Sequence, residues 1–256
     1  MHTKVSATST GVADITGVHV NMSRADRQSF DLAVEELSNA HLNSTDLCSP
    51  FLRVLPITGV AISTLGAPFG TETVCASDAS AARLDELQFD LGEGPCWDAM
   101  ATRRPVLSSD IRHHGNPAWP VFTRTIGETD AVGLFAFPMV VGALVIGAVD
   151  FYSRAPRTLT GLQIADATML VGIAARQVLR RVLLSHTIKP DPEAEGHSRR
   201  VVHQATGMVL AQLSVGASDA LLILQGHAFS HGRTVREVAG DVVAQKLDFT
   251  SEFDGS

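Results

Sequence analysis

Three short helical patterns between residues 199 and 246 limit the folds open to this chain more than any other feature. Apolar residues of the first pattern recur at i, i+4, i+7 and i+8 and form one stripe: Val201, Ala205, Met208 and Val209. The second pattern, at 218–230, is apolar on most of its sides, which is typical of the central helix of a small bundle. Such faces are buried only against one another, so the stretch predicts three packed helices.

The third pattern has a clear start signal. Thr234 and Glu237 are spaced as a capping box, in which the hydroxyl and the carboxylate each bind a backbone N–H group of the first helical turn. Apolar residues then repeat at helical spacing: Val235, Val238, Ala239, Val242 and Val243. The pattern therefore predicts a helix that begins directly after Thr234.

The segments HQATGMVLAQ, ALLILQGHAF and RTVREVAGDVV, with their spacing, resemble an ANTAR module. The resemblance implies a three-helix RNA-binding fold at the C-terminus of a bacterial regulator. Members of that family bind paired RNA hairpins and prevent transcription termination. Two positions differ from the family's common residues, because Thr206 stands where Lys is common and Gln225 where Arg is common.

The charge of this module fits an RNA partner. Residues 199–246 hold five cationic and three acidic side chains, a net charge of +2, on a chain whose formal net charge is −7. On charge alone, the alternative interpretation is that these cations are ordinary solvated residues. With the resemblance, we expect RNA contacts from residues near the starts of the first and third helices: Arg199, Arg200, His203, Gln204, Arg233 and Arg236.

The preceding part of the chain alternates helical and strand patterns, which predicts an α+β domain built on an antiparallel sheet. We predict one helical region at 26–55, strands that include 131–139 and 144–152, and a long helix at 160–184. The predicted boundaries are a flexible leader at 1–25, a first domain at 26–185, a linker at 186–198, the helical module at 199–246 and an acidic tail at 247–256.

The motifs FDLGEGPCWDAMATRRPV, AWPVF, GLFAFPM and VIGAVDFY make the first domain resemble a GAF domain of the kind that precedes ANTAR modules. GAF domains are small-molecule sensors and dimerising modules, so the fold alone specifies no ligand. We expect an unidentified small molecule to bind between sheet and helices, lined by Cys96, Trp97, Trp119, Phe135, Phe137, Asp150 and Tyr152. The alternative is that the aromatic residues of this set form the core.

Cys96 raises a second hypothesis, because it lies in the first turn of a predicted helix, where a thiol can become reactive. Some GAF-fold enzymes reduce free methionine sulfoxide with cysteines, and Cys75 would then be a candidate resolving thiol. The alternative is a buried, inert Cys96. His113 and His114 beside Asp110 form no ligand set at zinc spacing, and there is no Walker, GxGxxG, HExxH or GxSxG motif. We therefore expect no catalytic residue, metal or cofactor.

Composition supports these conclusions. The 256 residues are 45% apolar and only 5% aromatic, enough for a packed core but not for base-stacking platforms. No secretory core or bilayer-length apolar run is present, and three scattered cysteines suggest a reducing compartment.

We expect a cytoplasmic regulator that is not an enzyme and binds no membrane. Its expected partners are hairpin RNA, a second copy and a nearby RNA polymerase. A dimerisation module that does not bind RNA is the alternative.

Overall fold

The computed structural model describes residues 24–40, 46–65, 71–185 and 197–250. The predicted leader up to residue 23, linker residues 186–196 and the last six residues of the predicted tail lie outside the described residues. The described part consists of an α+β domain followed by three helices, as the sequence predicts.

A five-stranded antiparallel sheet forms the centre of the first domain. Its strands are β1 (Gly59–Thr64), β2 (Glu72–Ala76), β3 (Val106–Ser108), β4 (Gly133–Val141) and β5 (Leu144–Ser153), in the order β2-β1-β5-β4-β3. Strands β4 and β5 form the predicted hairpin through a turn at Gly142. Where β5 runs beside β1, a Cβ on Gly147 would lie 1.9 Å from the Ser63 carbonyl oxygen, so this close approach requires glycine.

Three helices cover one face of the sheet: α1 (Arg24–Ser38), α2 (Ser49–Val54) and α7 (Gly161–Ser185). The single helical region predicted at 26–55 is wrong, since α1 ends at Ser38 and α2 starts separately at Ser49. Pro50 occupies the first turn of α2, where its missing N–H costs nothing, and the Asp46 carboxylate accepts the N–H groups of Cys48 and Ser49.

Helix α7 is apolar over most of its length. By length and composition it is, among the described residues, the one helix that could cross a bilayer by itself. The helix pair at Val201–Leu213 and Ala217–Ser230, bent by 105°, qualifies only if counted as one span. In the structure α7 packs lengthwise against α1 and β4, and its buried side chains belong to the core cluster around Phe51 and Phe151.

Shorter helices cover the opposite face: α3 (Ala79–Leu91), α4 (Pro95–Thr102), α5 (Ile111–His114) and α6 (Pro120–Thr125). Asp78 caps α3 by accepting the Ala81 N–H at 2.9 Å, and its carboxylate also accepts the Tyr152 hydroxyl at 3.0 Å. Trp119 and Phe122 pack beside Tyr152 in the apolar cluster on this face.

The C-terminal bundle consists of α8 (His197–Leu213), α9 (Ala217–Ser230) and α10 (Val235–Val243). The predicted capping box is confirmed, because the Thr234 N–H reaches Glu237 Oε2 at 2.9 Å and the Glu237 N–H reaches Thr234 Oγ1 at 3.2 Å. Helix α9 begins after Gly216, slightly before the expected start at residue 218.

Candidate RNA-binding face and sensor cavity

The predicted RNA-binding residues lie in the first two turns of α8 and around the first turn of α10. Arg233 and Arg236 are exposed beside the first turn of α10, and Arg233 Nη2 lies 2.7 Å from Asp241 Oδ2 in an ion pair at the surface. Gln204 is exposed on α8. Arg199 and Arg200 belong to the first turn of the same helix, but their side chains lie outside the described part of the structure.

His203 differs from the other predicted RNA-binding residues. Its ring is exposed, yet its Nε2 accepts the Thr71 N–H, which comes from the sheet domain, at 2.6 Å. An imidazole nitrogen accepts a hydrogen bond only when it carries no proton, so this contact requires His203 to be neutral with its proton on Nδ1. The residue therefore links two domains before any RNA is bound.

The two positions that depart from the ANTAR pattern have different surroundings. Gln225 Nε2 donates to the Phe89 carbonyl oxygen at the end of α3, at 2.7 Å. Thr206 Oγ1 donates at 2.7 Å to the Val202 carbonyl oxygen, one turn back within α8. Gln225 thus contacts the sheet domain, whereas Thr206 makes a hydrogen bond within its own helix.

Apolar contact accompanies these hydrogen bonds. Leu65, Phe89, Cys96 and Ala148 of the sheet domain belong to the same buried cluster as the core of the helical bundle. This interdomain contact was not predicted from the sequence, because the residues that make it are far apart along the chain and follow no motif.

The predicted ligand-binding residues do not form one group. Phe135 and Phe137 lie on the face of the sheet that α1, α2 and α7 cover, and there Phe137 contacts Phe151 edge to face. Asp150 and Tyr152 lie on the opposite face, because side chains alternate along a strand and both residues flank Phe151. The expectation that all four line one cavity is therefore wrong.

A small cavity lies between the sheet and α3, and both Asp150 and Tyr152 line it. Its volume of about 10 Å³ is roughly the space that one water molecule needs. Burial raises the pKa of the Tyr152 phenol, and the neighbouring Asp78 carboxylate raises it further. The remaining wall residues are Ala81, Leu84, Gln88, Pro95, Phe122, Leu134 and Phe151. Gln88 is the polar residue that the sequence analysis overlooked.

The tryptophans predicted to line the cavity instead make structural hydrogen bonds. Trp97 Nε1 donates to the Gln88 carbonyl oxygen at 2.7 Å, and Trp119 Nε1 donates to Asp98 Oδ2 at 3.0 Å. Within the same stretch of sequence, Glu93 Oε2 accepts the N–H groups of Val121 and Phe122 at the start of α6. The segment LGEGPCWD therefore joins α3, α4 and α6.

The cysteines are arranged differently from the sequence-based expectation. Cys48 and Cys75 form a disulfide, with their Cα atoms 6.3 Å apart. Cys75 is therefore not the resolving partner of Cys96, whose side chain is only 1% exposed. A thiol so deeply buried has the surroundings of an inert core residue. The disulfide goes against the reducing compartment that the scattered cysteines suggested, because disulfides are rare in reducing compartments.

Asp110 acts as a helix cap. It accepts the His113 N–H at 3.1 Å and contacts His113 Nδ1 at 2.7 Å. Burial raises the pKa of Asp110, but the His113 hydrogen bonds outweigh it and lower this pKa below its ordinary value. No group of three or more His, Cys, Asp or Glu side chains suited to a metal ion occurs in the described ranges.

Two family models match the chain, a GAF domain at residues 52–178 and an ANTAR domain at residues 193–243. The chain combines a GAF domain with a C-terminal ANTAR domain. The ANTAR domain is an RNA-binding antitermination module and the GAF domain is a sensory domain, so this architecture is that of a regulator rather than an enzyme. A comparison with curated protein sequences found no match.

Solved structures support the fold of the GAF domain. The GAF domain of a phosphoenolpyruvate-protein phosphotransferase from Coxiella burnetii aligns with a TM-score of 0.52 and 15% identity, over 65% of this chain and 100% of that one. The corresponding domain from Acinetobacter aligns with a TM-score of 0.50 and 13% identity, over 66% of this chain and 99% of that one. Identities this low show a shared fold only.

Proposed function

We propose that this protein is a signal-responsive regulator that prevents transcription termination by binding paired RNA hairpins through its ANTAR domain, under control of its GAF domain. The observation that carries the proposal is the folded three-helix ANTAR bundle, with Arg236 exposed in the first turn of α10 and Gln204 exposed two turns into α8. Arginine binds phosphate in a bidentate manner, and polar side chains read unpaired loop bases.

The remaining predicted contacts fit the same role. Arg199 and Arg200 stand in the first turn of α8, where backbone N–H groups add affinity for an anion. Arg233 contributes once phosphate replaces Asp241 as its partner. The protein works in the cytoplasm, close to RNA polymerase, because termination is decided on the nascent transcript.

Two hairpins call for two ANTAR domains, and helix α7 offers a surface for a second copy. Met169 and Leu183 are 56% and 58% exposed and stand 14 residues apart, which places them on the same side of the helix. Leu32 of the neighbouring α1 is exposed as well. A homodimer that buries these residues brings two ANTAR domains together.

The dimerisation module that does not bind RNA is the second candidate. Thr206 and Gln225 favour this candidate, because they stand where the family commonly has cations. Both side chains instead make hydrogen bonds within the protein. Binding measurements separate the two candidates, because only the RNA-binding regulator loses affinity when cations at the proposed face are removed.

The test is binding of the purified protein to a two-hairpin leader transcript from its own genome, measured over a salt series. We expect selective binding over an unrelated hairpin. The slope of log K against log salt should become shallower by about 0.7–0.9 for each phosphate that is no longer neutralised in Arg200→Ala or Arg236→Ala. Arg83→Ala is the matched control, since Arg83 is an exposed cation on the GAF domain paired with Glu86. Absence of selective binding at low salt contradicts the proposal.

A further inference from the structure

The ANTAR domain is held against the GAF domain through α9 and through α8, the helix that carries four of its predicted RNA-binding residues. Two hydrogen bonds define the contact, from the Thr71 N–H to His203 Nε2 at 2.6 Å and from Gln225 Nε2 to the Phe89 carbonyl oxygen at 2.7 Å. His203 is a predicted RNA ligand, and Gln225 occupies a position where the family commonly has Arg. Both side chains therefore serve the GAF domain in this arrangement.

Local geometry on the GAF side is suited to this contact. Gly92 ends α3 in the left-handed conformation, with φ of 62°, and a Cβ there would lie 3.3 Å from Gln225 Oε1. The Phe89 ring is buried in the cluster that includes the ANTAR core, and its carbonyl oxygen accepts Gln225. The end of α3 thus provides a carbonyl acceptor, an apolar ring and a turn without a side chain.

Acidic residues stand beside the contact. Asp90 and Glu93 of the GAF domain line a cleft of about 220 Å³ together with Leu222, Gln225 and Phe229 of α9. A phosphate group brought to this side of α9 would meet carboxylates of like charge at short range, which is unfavourable. While the two domains are in contact, these carboxylates therefore disfavour a phosphate group at this part of the ANTAR surface.

We propose that the GAF domain and RNA compete for one surface of the ANTAR domain, made of His203, Gln225 and their neighbours on α8 and α9. This inference rests on the proposed function and adds its regulation. The docked arrangement is the state without RNA, and binding of hairpin RNA requires that the ANTAR domain separates from α3 and Thr71. The apparent RNA affinity is then the intrinsic affinity multiplied by the fraction of molecules that are not docked.

The test uses the full-length protein and a pair of substitutions at one position. Thr71→Pro removes the N–H group that His203 accepts, whereas Thr71→Ala keeps that group and serves as the matched control. Neither change alters a residue of the ANTAR domain. We expect Thr71→Pro to bind the two-hairpin leader transcript about fivefold more tightly than Thr71→Ala, which corresponds to the removal of one ordinary hydrogen bond from the docked state.

A second measurement avoids substitutions altogether. Amide hydrogen exchange of Thr71 is slow in the free wild-type protein if the contact persists, and we expect addition of the transcript to accelerate it. This readout holds even if Thr71→Pro fails to fold.

Three results overturn the inference, and they differ from one another. Fast exchange of Thr71 in the free protein shows that no docked state exists. RNA binding with equal affinity by both variants, and with Thr71 still protected, contradicts the competition but leaves RNA binding intact. Absence of RNA binding by the wild type and by both variants contradicts the proposed function, and the competition with it.

Discussion

The Gln88 side chain accepts the backbone N–H of Cys96 at 2.9 Å, and thereby joins α3 to the start of α4 inside the GAF domain. Gln88 is buried and also lines the small cavity next to Tyr152. Its neighbour Phe89 accepts Gln225 of the ANTAR domain. Two consecutive residues of α3 therefore contact two different features: Gln88 lines the small cavity, and Phe89 contacts the ANTAR domain.

Replacing this glutamine should destabilise the GAF domain. Gln88→Leu leaves the buried Cys96 N–H without its acceptor, and we expect the free energy of unfolding to fall by about 1–3 kcal/mol. Denaturant unfolding measures the change. Gln177→Leu is the matched control, because Gln177 donates to the Ser38 carbonyl oxygen at an exposed site. Equal stability of the two variants would show that the Gln88 hydrogen bond is unimportant.

The disulfide between Cys48 and Cys75 should contribute to stability through the chain it closes. The two residues are 27 positions apart, and a loop of this length corresponds to about 3–4 kcal/mol in the chain-entropy model. We expect a thiol reductant to lower the unfolding midpoint of the wild type to that of Cys48→Ala/Cys75→Ala. The double variant itself should not respond to reductant, and a response there would point to another cause.

Acidification should destabilise the first turn of α10. Hydrogen bonds from the Thr234 backbone and hydroxyl lower the pKa of Glu237 below its ordinary value of 4.5. A carboxyl group with a lowered pKa in the folded state stabilises that state above pH 4.5, and this contribution is lost as the pH falls through the folded-state pKa. The protection factors of the α10 amides, taken relative to the intrinsic exchange rate at each pH, should therefore fall below about pH 4.5 in the wild type.

Glu237→Gln is the control for that measurement. The glutamine side chain keeps much of the shape of glutamate but does not titrate. The protection factors of the α10 amides should therefore be lower than in the wild type at neutral pH and should change less on acidification. An identical pH profile in both proteins would show that another group controls the helix. Thr234→Ala should cost about 1 kcal/mol at neutral pH and less in acid, because it removes the capping hydroxyl and with it a hydrogen bond to the ionised Glu237 carboxylate.

Charge on the exposed side of α7 should separate the two copies of a dimer. Leu183→Glu places a carboxylate among apolar residues of the proposed interface, and we expect the dissociation constant to rise by roughly a factor of ten or more, which corresponds to about 1.4 kcal/mol or more. Sedimentation equilibrium measures it. Leu144→Glu, at a residue 47% exposed in the β4–β5 turn, is the control and should leave association unchanged.

Local signals in the sequence predicted local structure well. The hairpin of β4 and β5, the capping box at Thr234 and the helix that begins at Pro95 all depend on residues close to one another in the sequence. The break between α1 and α2 was missed although Pro50 marks it. Periodicity alone does not place a helix boundary when apolar residues continue on both sides.

The candidate sites were harder to predict, for two physical reasons. Phe135 and Asp150 were expected to line one cavity, but the strand register places them on opposite faces of the sheet. Register is set by pairing across the whole sheet. The partners of His203 and Gln225 lie 132 and 136 positions away along the chain. No periodic pattern within either domain encodes such a contact.

The position of Thr71 directly before β2 has one more consequence, for solubility. Within the described residues, strand β2 is one of the two outermost strands of the sheet, pairs only with β1 and is contacted by α8. An outer strand with open backbone groups is a template on which strands of other chains assemble. If RNA displaces the ANTAR domain as proposed, part of that strand becomes exposed, and we expect the RNA-bound form to aggregate more readily than the docked form.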